Sequence, residues 1–156
     1  MIKEDIVSLL ENSFNNLGVE FERIDKTDCA YLVKVAANDL FKNIGTISFL
    51  YFWDEEENCL ILYVGNIYKF SGDNELLKIY EIVNDLNTIV DFGSFQISKS
   101  STKNKKQITY RICLSTNTKI YKLDENTIKA QIDTALQSLN YGLRYMKIKG
   151  LIGNEK

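Results

Sequence analysis

The stretch that decides the fold is Gly45–Trp53, GTISFLYFW, which the acidic run Asp54–Glu57, DEEE, connects to Asn58–Val64, NCLILYV. Both flanking runs are rich in β-branched and aromatic residues, which favour strands. A short polar connector between two such runs is typical of a β-hairpin. The sequence therefore predicts a hairpin whose turn is the acidic run.

Both faces of this predicted hairpin are apolar. In the first strand Phe49, Tyr51 and Trp53 share one face with Ile47, whereas Leu50 and Phe52 point the other way. An antiparallel sheet with one solvated face alternates between apolar and polar residues. Because this hairpin does not alternate in that way, we expect both of its faces to be covered, by helices or by a second subunit.

The aromatic stripe formed by Phe49, Tyr51 and Trp53, together with Tyr63, has two interpretations. It is either an ordinary core face, since buried sheet faces carry such aromatics, or a surface that binds a protein partner or a second copy of the chain. Tryptophan and tyrosine anchors dominate the energetics of protein interfaces. Aromatics in alternation are the usual pattern of a buried sheet face, and the apolar character of both faces is the one sequence feature that favours the second interpretation, so both stay open.

Periodicity places further helices and strands around the hairpin. Gly18 is a stop signal for the first helix, the turn Ser71–Asn74 supplies an N-cap for the second, and Asp124 caps the third. The second helix is apolar over more than half of its circumference, which indicates a central position. The third has a continuous apolar stripe, although Gly142 is expected to end or bend it. The predicted elements are a helix over 2–17, a strand over 30–38 (favoured over 19–25), hairpin strands over 45–53 and 58–64, a helix over 74–87, hairpin strands over 94–98 and 107–115, and a helix over 124–149.

The predicted order α-β-β-β-α-β-β-α indicates one α+β domain over residues 1–156, with an antiparallel sheet and helices packed on it. We expect the C-terminal tail, about 150–156, to be frayed.

Composition excludes several classes of function. The chain has 156 residues, with 19 basic against 21 acidic side chains, so it lacks the charge of a nucleic-acid-binding domain. It contains no histidine, which excludes imidazole bases and histidine metal ligands. No glycine-rich phosphate-binding motif and no catalytic carboxylate pair stand out. We therefore expect a protein that is not an enzyme.

Nothing in the sequence indicates a cofactor, a metal or a membrane. The acidic run Asp54–Glu57 lacks the alternation and the glycine of a calcium loop and is interpreted as a solvated turn. Cys29, Cys59 and Cys113 are odd in number and widely spaced, which favours reduced, buried thiols in a cytoplasmic protein. The charged N-terminal stretch resembles no secretory signal, and no apolar run is long enough to cross a bilayer.

A basic loop joins the strands of the second predicted hairpin. It contains Lys99, Lys103, Lys105 and Lys106, but no aromatic residue is interleaved to stack on a base. We therefore expect no nucleic-acid partner.

The stretch 79–98, IYEIVNDLNTIVDFGSFQIS, followed by a polar tip and by QITYRICLS at 107–115, resembles the YbjN family of bacterial domains. The residues that carry the match are Val83–Asn87 at a helix end, Phe92–Phe95 entering a strand, and Tyr110 with Arg111 in the partner strand; the helix from Asp124 also fits. The family is similar in fold to the type III secretion chaperones. The resemblance implies a non-enzymatic, chaperone-like or regulatory domain that grips a partner polypeptide and often pairs with itself as a homodimer.

Four residues of this stretch and its partner strand carry more specific predictions. Asparagine tolerates left-handed geometry and bonds free backbone groups at helix ends, so Asn84 and Asn87 are predicted to be structural caps. An alternative function is a regulatory domain that responds to a small ligand in a sheet-lined pocket, with Tyr110 and Arg111 as its polar groups.

Overall fold

A computed structural model describes residues 3–25, 29–36, 46–90, 93–101 and 108–151. Within these residues the chain forms three α-helices and six strands, and a 3-10 turn at Ile120–Lys122 precedes the last helix. The elements are α1 (Lys3–Leu17), β1 (Glu20–Asp25), β2 (Ala30–Ala36), β3 (Thr46–Asp54), β4 (Cys59–Ser71), α2 (Leu76–Ile89), β5 (Ser94–Ser101), β6 (Ile108–Lys119) and α3 (Glu125–Ile148).

The strands form one antiparallel sheet in the order β1-β2-β3-β4-β6-β5. The α+β class and the antiparallel sheet with packed helices are thereby confirmed. The sequence predicted a single strand between α1 and the hairpin, but β1 and β2 both form, with Phe21 opposite Val33. The additional strand was missed because β1 is an edge strand, and charged residues such as Glu20 and Glu22 hide its short apolar pattern.

One face of the sheet, called here the covered face, packs against the helices. Phe14 of α1 lies with its ring centroid 5.6 Å from that of Tyr31 and 5.7 Å from that of Tyr51. On α3, a Cβ atom placed at Gly142 would lie only 2.6 Å from Cζ of Phe95. Glycine therefore allows α3 to approach the sheet closely, and the helix continues through this residue to Ile148 instead of ending there. The core of the protein lies between this face and the helices.

Helix α2 is less central than its sequence indicates. Ile79 and Leu86 are buried, but Leu77 is 74% exposed and Tyr80 is 52% exposed. The prediction of a central helix is wrong because α2 lies beside β5 and one edge of α3, so only one side of it is covered. Its N-cap is Glu75, which makes no side-chain capping bond, so the predicted cap from the preceding turn is also wrong.

Both ends of α3 are fixed by local contacts. The Asp124 side chain accepts a hydrogen bond from the backbone N–H of Thr127, and the Thr127 hydroxyl accepts one from the backbone N–H of Asp124. This capping box confirms the predicted start of the helix. Leu151 packs against the core, and the remaining residues of the tail, 152–156, lie outside the described residues.

No helix in the described part of the chain is long and apolar enough to span a membrane.

Candidate functional site

The second face of the sheet, called here the open face, is not covered by any of the described helices. Register places Leu32, Leu50 and Tyr63 side by side across β2, β3 and β4. Phe52 and Ile61 form the next row along the strands. Neighbouring strands lie about 4.8 Å apart, so these five side chains form one continuous surface, called here the apolar patch. All five are partly exposed, and none belongs to the hydrophobic core.

Polar and charged groups border the apolar patch. Lys34 lies opposite Ser48 on β3 and opposite Glu20 on β1. The Lys34 ammonium nitrogen is 3.6 Å from a carboxylate oxygen of Glu20. An apolar centre with a charged rim is the usual anatomy of a protein–protein interface.

The other half of the open face is polar. Here Arg111 of β6 lies opposite Ser98 of β5, and Ser115 of β6 lies opposite Ser94 of β5. Cys113 is buried in this half, and its thiol donates a hydrogen bond to the backbone oxygen of Gln96 over 3.5 Å. The apolar surface therefore ends at β4.

Tyr63 lies at the boundary between the two halves. A hydrogen bond with the Cys113 thiol, and then partial burial, raise the pKa of its phenol to about 12. The Tyr63 ring lies beside Gly65, where a Cβ atom would lie 3.2 Å from Cε1 of Tyr63. Of the four aromatic residues that the sequence proposed as partner contacts, Tyr63 is the one on the open face.

The other three residues of that set face the helices. Phe49 and Tyr51 are fully buried on the covered face, and Trp53 is partly buried against the core at the end of the same face. The prediction that Phe49 and Tyr51 contact a partner is therefore wrong, because both are enclosed in the core of their own chain, where Tyr51 meets Phe14 of α1 and Gln131 of α3. The ordinary-core interpretation of the aromatic stripe holds for these two residues.

A buried hydrogen-bond network ties Tyr51 to α3. Its hydroxyl donates to Oε1 of Gln131, and Nε2 of Gln131 donates to the backbone oxygens of Leu60 and Thr116, at 3.3 Å each. Burial raises the pKa of the Tyr51 phenol above its ordinary range. The hydroxyl therefore has a structural partner within the chain, and Tyr51 anchors α3 to β3, β4 and β6.

Tyr110 and Arg111 do not line a common pocket. Consecutive residues of a strand point to opposite faces. The Tyr110 ring stacks on Phe70 at 5.0 Å on the covered face, and its hydroxyl donates to Asp73 over 3.0 Å, whereas Arg111 lies on the open face. The prediction of a ligand pocket with Tyr110 and Arg111 as its polar groups is therefore wrong.

The two asparagines of α2 behave differently. The Asn87 amide nitrogen donates to the backbone oxygen of Phe95 over 2.9 Å, and its side-chain oxygen accepts from the backbone N–H of Phe95 over 2.7 Å. Asn87 is thus structural, but it links α2 to β5 instead of capping its own helix. Asn84 is exposed within α2, which continues to Ile89, so it is not a cap.

The polar features predicted around the hairpins have plain structural roles where they are described. A carboxylate oxygen of Asp54 accepts the backbone N–H of Glu57 over 3.0 Å, and Glu55–Glu57 are exposed, as a solvated turn requires. Cys29, Cys59 and Cys113 are free and buried. Of the basic loop, Lys99 is exposed on β5, and Lys103, Lys105 and Lys106 lie outside the described residues.

Sequence analysis missed Leu32, Leu50, Phe52 and Ile61 as candidate surface residues. The signal was present, since Leu50 and Phe52 were recognised as pointing away from the aromatic stripe. Because both faces of the hairpin are apolar, the sequence pattern does not show on which side the helices pack.

Neither a protein-family model nor a curated protein matches the chain. A solved structure that it resembles is that of YbjN from E. coli, described as a proposed transcription regulator. The TM-score is 0.62, and the superposition covers 95% of this chain and 96% of that one at 7% sequence identity. An identity this low shows the fold and leaves the function open. The chain therefore has a YbjN-like α+β fold.

Proposed function

We propose that the chain is a non-enzymatic interaction module of a chaperone-like or regulatory kind, which binds a polypeptide partner through its apolar sheet surface, that partner being a second copy of the chain in a homodimer. The observation that carries this proposal is the apolar patch on the open face. Contiguous apolar surface of this kind on a globular protein marks an interaction site. The regulatory description of YbjN agrees with it at the level of the fold.

The composition of the open face favours a second copy of the chain as the occupant of the patch. A two-fold axis through the patch would place the Leu50 and Phe52 side chains of one subunit on the same residues of its partner. The rim carries both signs of charge, Glu20 and Lys34, so the same rotation allows each carboxylate to approach an ammonium group across the interface. A stable interface buries about 800 Å² on each partner, so the patch would form its centre and the flanking residues of β1 to β4 its rim.

The test is the solution mass by size exclusion with light scattering over a tenfold concentration range. We expect a dimer for the wild type and a monomer for Phe52→Glu, because the substitution places an unpaired charge in the centre of the interface. Ser98→Glu is the matched control, since it adds the same charge on the polar half of the open face and should leave the dimer intact. Ile61→Glu repeats the test at a second position if Phe52→Glu does not fold.

A wild-type chain that is monomeric throughout the range would contradict self-pairing. A dimer that persists in folded Phe52→Glu and Ile61→Glu would place the interface elsewhere. Circular dichroism of each variant separates loss of pairing from loss of the fold.

A further inference from the structure

Part of β6 has no strand neighbour on one side within the described residues. Pairing of β5 with β6 begins at Ser94, which lies opposite Ser115. On its other side β6 remains paired with β4 as far as Lys119, opposite Cys59. Gly93 lies beside Thr116, so among the described residues the open strand edge runs over 117–119 and is about 10 Å long, at about 3.3 Å per residue.

The backbone groups that face this edge follow from the position of Gly93. A Cβ atom at Gly93 would lie 2.7 Å from the backbone oxygen of Ser115, so that oxygen points to the side on which β5 runs. The backbone N–H and C=O groups of alternate residues in a strand point to the same side. Asn117 and Lys119 therefore direct theirs to the open edge, whereas the carbonyl of Thr116 is turned toward the neighbouring strand and accepts from Gln131.

A groove runs along this edge between β6 and the first half of α3. Its volume is about 680 Å³, within the range of about 300–1,000 Å³ that ligand sites occupy. No Asp, Glu, Lys or Arg among the described residues lines it. Hydroxyl and amide side chains dominate the walls, among them Ser94, Gln96, Thr118, Thr127 and Thr134.

We propose that this groove binds an extended, uncharged segment of polypeptide, which adds to β6 as a short strand. The open edge offers backbone donors and acceptors in the spacing that a strand matches. The hydroxyls of Thr127 and Thr134 and the amide of Gln96 already bond within the chain, so the backbone carries most of the recognition. A charged side chain would be disfavoured, since it would lose water without finding an opposite charge. The groove and the apolar patch share no residue, although Asn117 lies opposite Ile61 by register. The inference rests on the open edge of β6 and does not depend on self-pairing.

The backbone contribution is tested with a defined probe. The probe is the tightest-binding peptide selected on the wild-type protein from a random twelve-residue library, labelled with fluorescein and measured by anisotropy. Asn117→Pro removes one backbone N–H at the open edge, and we expect affinity to fall about tenfold. Asn117→Ala keeps that N–H, so its affinity should stay within about twofold of the wild type.

A second pair of variants tests the position of the groove. Ala130→Trp fills the groove from α3 and should weaken the probe at least about tenfold, whereas Lys129→Trp adds the same side chain outside the lining and should not. Ala130 is exposed, so this substitution keeps the test valid if Asn117→Pro does not fold. Phe52→Glu should bind the probe as the wild type does.

Three outcomes would overturn the inference. The first is a library that yields no binder. The second is equal loss of affinity in Asn117→Pro and Asn117→Ala, which would assign recognition to the side chain. The third is a variant Ala130→Trp that no longer binds maltohexaose but still binds the peptide as the wild type does. This result would show that the groove binds a neutral saccharide instead of a polypeptide.

Discussion

Phe49 and Phe52 lie three residues apart on β3 and meet different surroundings. Phe49 is fully buried in the core on the covered face, whereas Phe52 is partly exposed on the open face. Tyr51 and Tyr63 repeat this contrast, because one hydroxyl is buried against Gln131 and the other lies at the boundary of the apolar patch. An apolar strand face therefore does not show by itself whether its own chain closes it. The answer depends on the side on which the helices pack.

The largest effect is expected from truncating the two phenylalanines. Phe49→Ala removes a fully buried ring and should lower the free energy of unfolding by about 3–5 kcal/mol. Phe52→Ala should lower it by about 1 kcal/mol, because much less area is removed from contact, while it weakens self-pairing. Urea unfolding followed by circular dichroism measures both free energies, at a protein concentration below the dissociation constant of the dimer. Equal losses in the two variants would mean that the open face is covered within the chain.

Removing the hydroxyl of Tyr51 or of Tyr63 compares the two faces of the sheet through a single atom. Tyr51→Phe leaves the buried side-chain oxygen of Gln131 without its donor and should cost about 1–3 kcal/mol of stability. Tyr63→Phe should cost less than about 0.5 kcal/mol, since its surroundings remain accessible to water. The same unfolding experiment measures both. A larger loss from Tyr63→Phe would reverse the assignment of the two faces.

The asparagines of α2 give a third matched pair. Asn87→Ala removes both hydrogen bonds to the Phe95 backbone and should cost about 1–3 kcal/mol, because it leaves an N–H and a C=O without partners. Asn84→Ala, on the exposed side of the same helix, should change stability by less than about 0.5 kcal/mol. Thermal unfolding of the two variants provides the comparison. Similar midpoints would show that Asn87 does not hold α2 against β5.

The hairpins and the start of α3 could be predicted because their signals are local. Strand composition flanks a polar turn at Asp54–Glu57, and Asp124 precedes a continuous apolar stripe. The opposite orientation of Tyr110 and Arg111 was also present in the sequence, since neighbours in a strand alternate. The alternation of a strand therefore excludes a common pocket for these two residues.

The face that the helices cover and the groove beside β6 could not be predicted. Both stripes of β3 are apolar, so which of Phe49 and Phe52 is buried depends on the side on which the helices pack, a long-range property. The groove depends on the register of two strands, because β5 begins opposite Ser115 while β6 continues to Lys119. Neither property leaves a local pattern in the sequence.

The smallest effect concerns the protonation of Tyr63. The hydrogen bond with Cys113 and partial burial raise its folded pKa to about 12, above the ordinary value of 10.0. Its contribution to stability is therefore complete below pH 10 and is lost as the pH rises through about 12. Cys113→Ala removes the first of the two causes and should move the titration back toward the ordinary value.

The measurement is the tyrosinate absorbance of the wild type minus that of Tyr63→Phe, compared with the same difference in the Cys113→Ala background. Because the chain has nine tyrosines, the subtraction isolates the single phenol on the open face. An unchanged titration in Cys113→Ala would show that burial alone raises the pKa. Tyr63 would then be covered more fully than an open face allows, and the contrast with Tyr51 would be weaker.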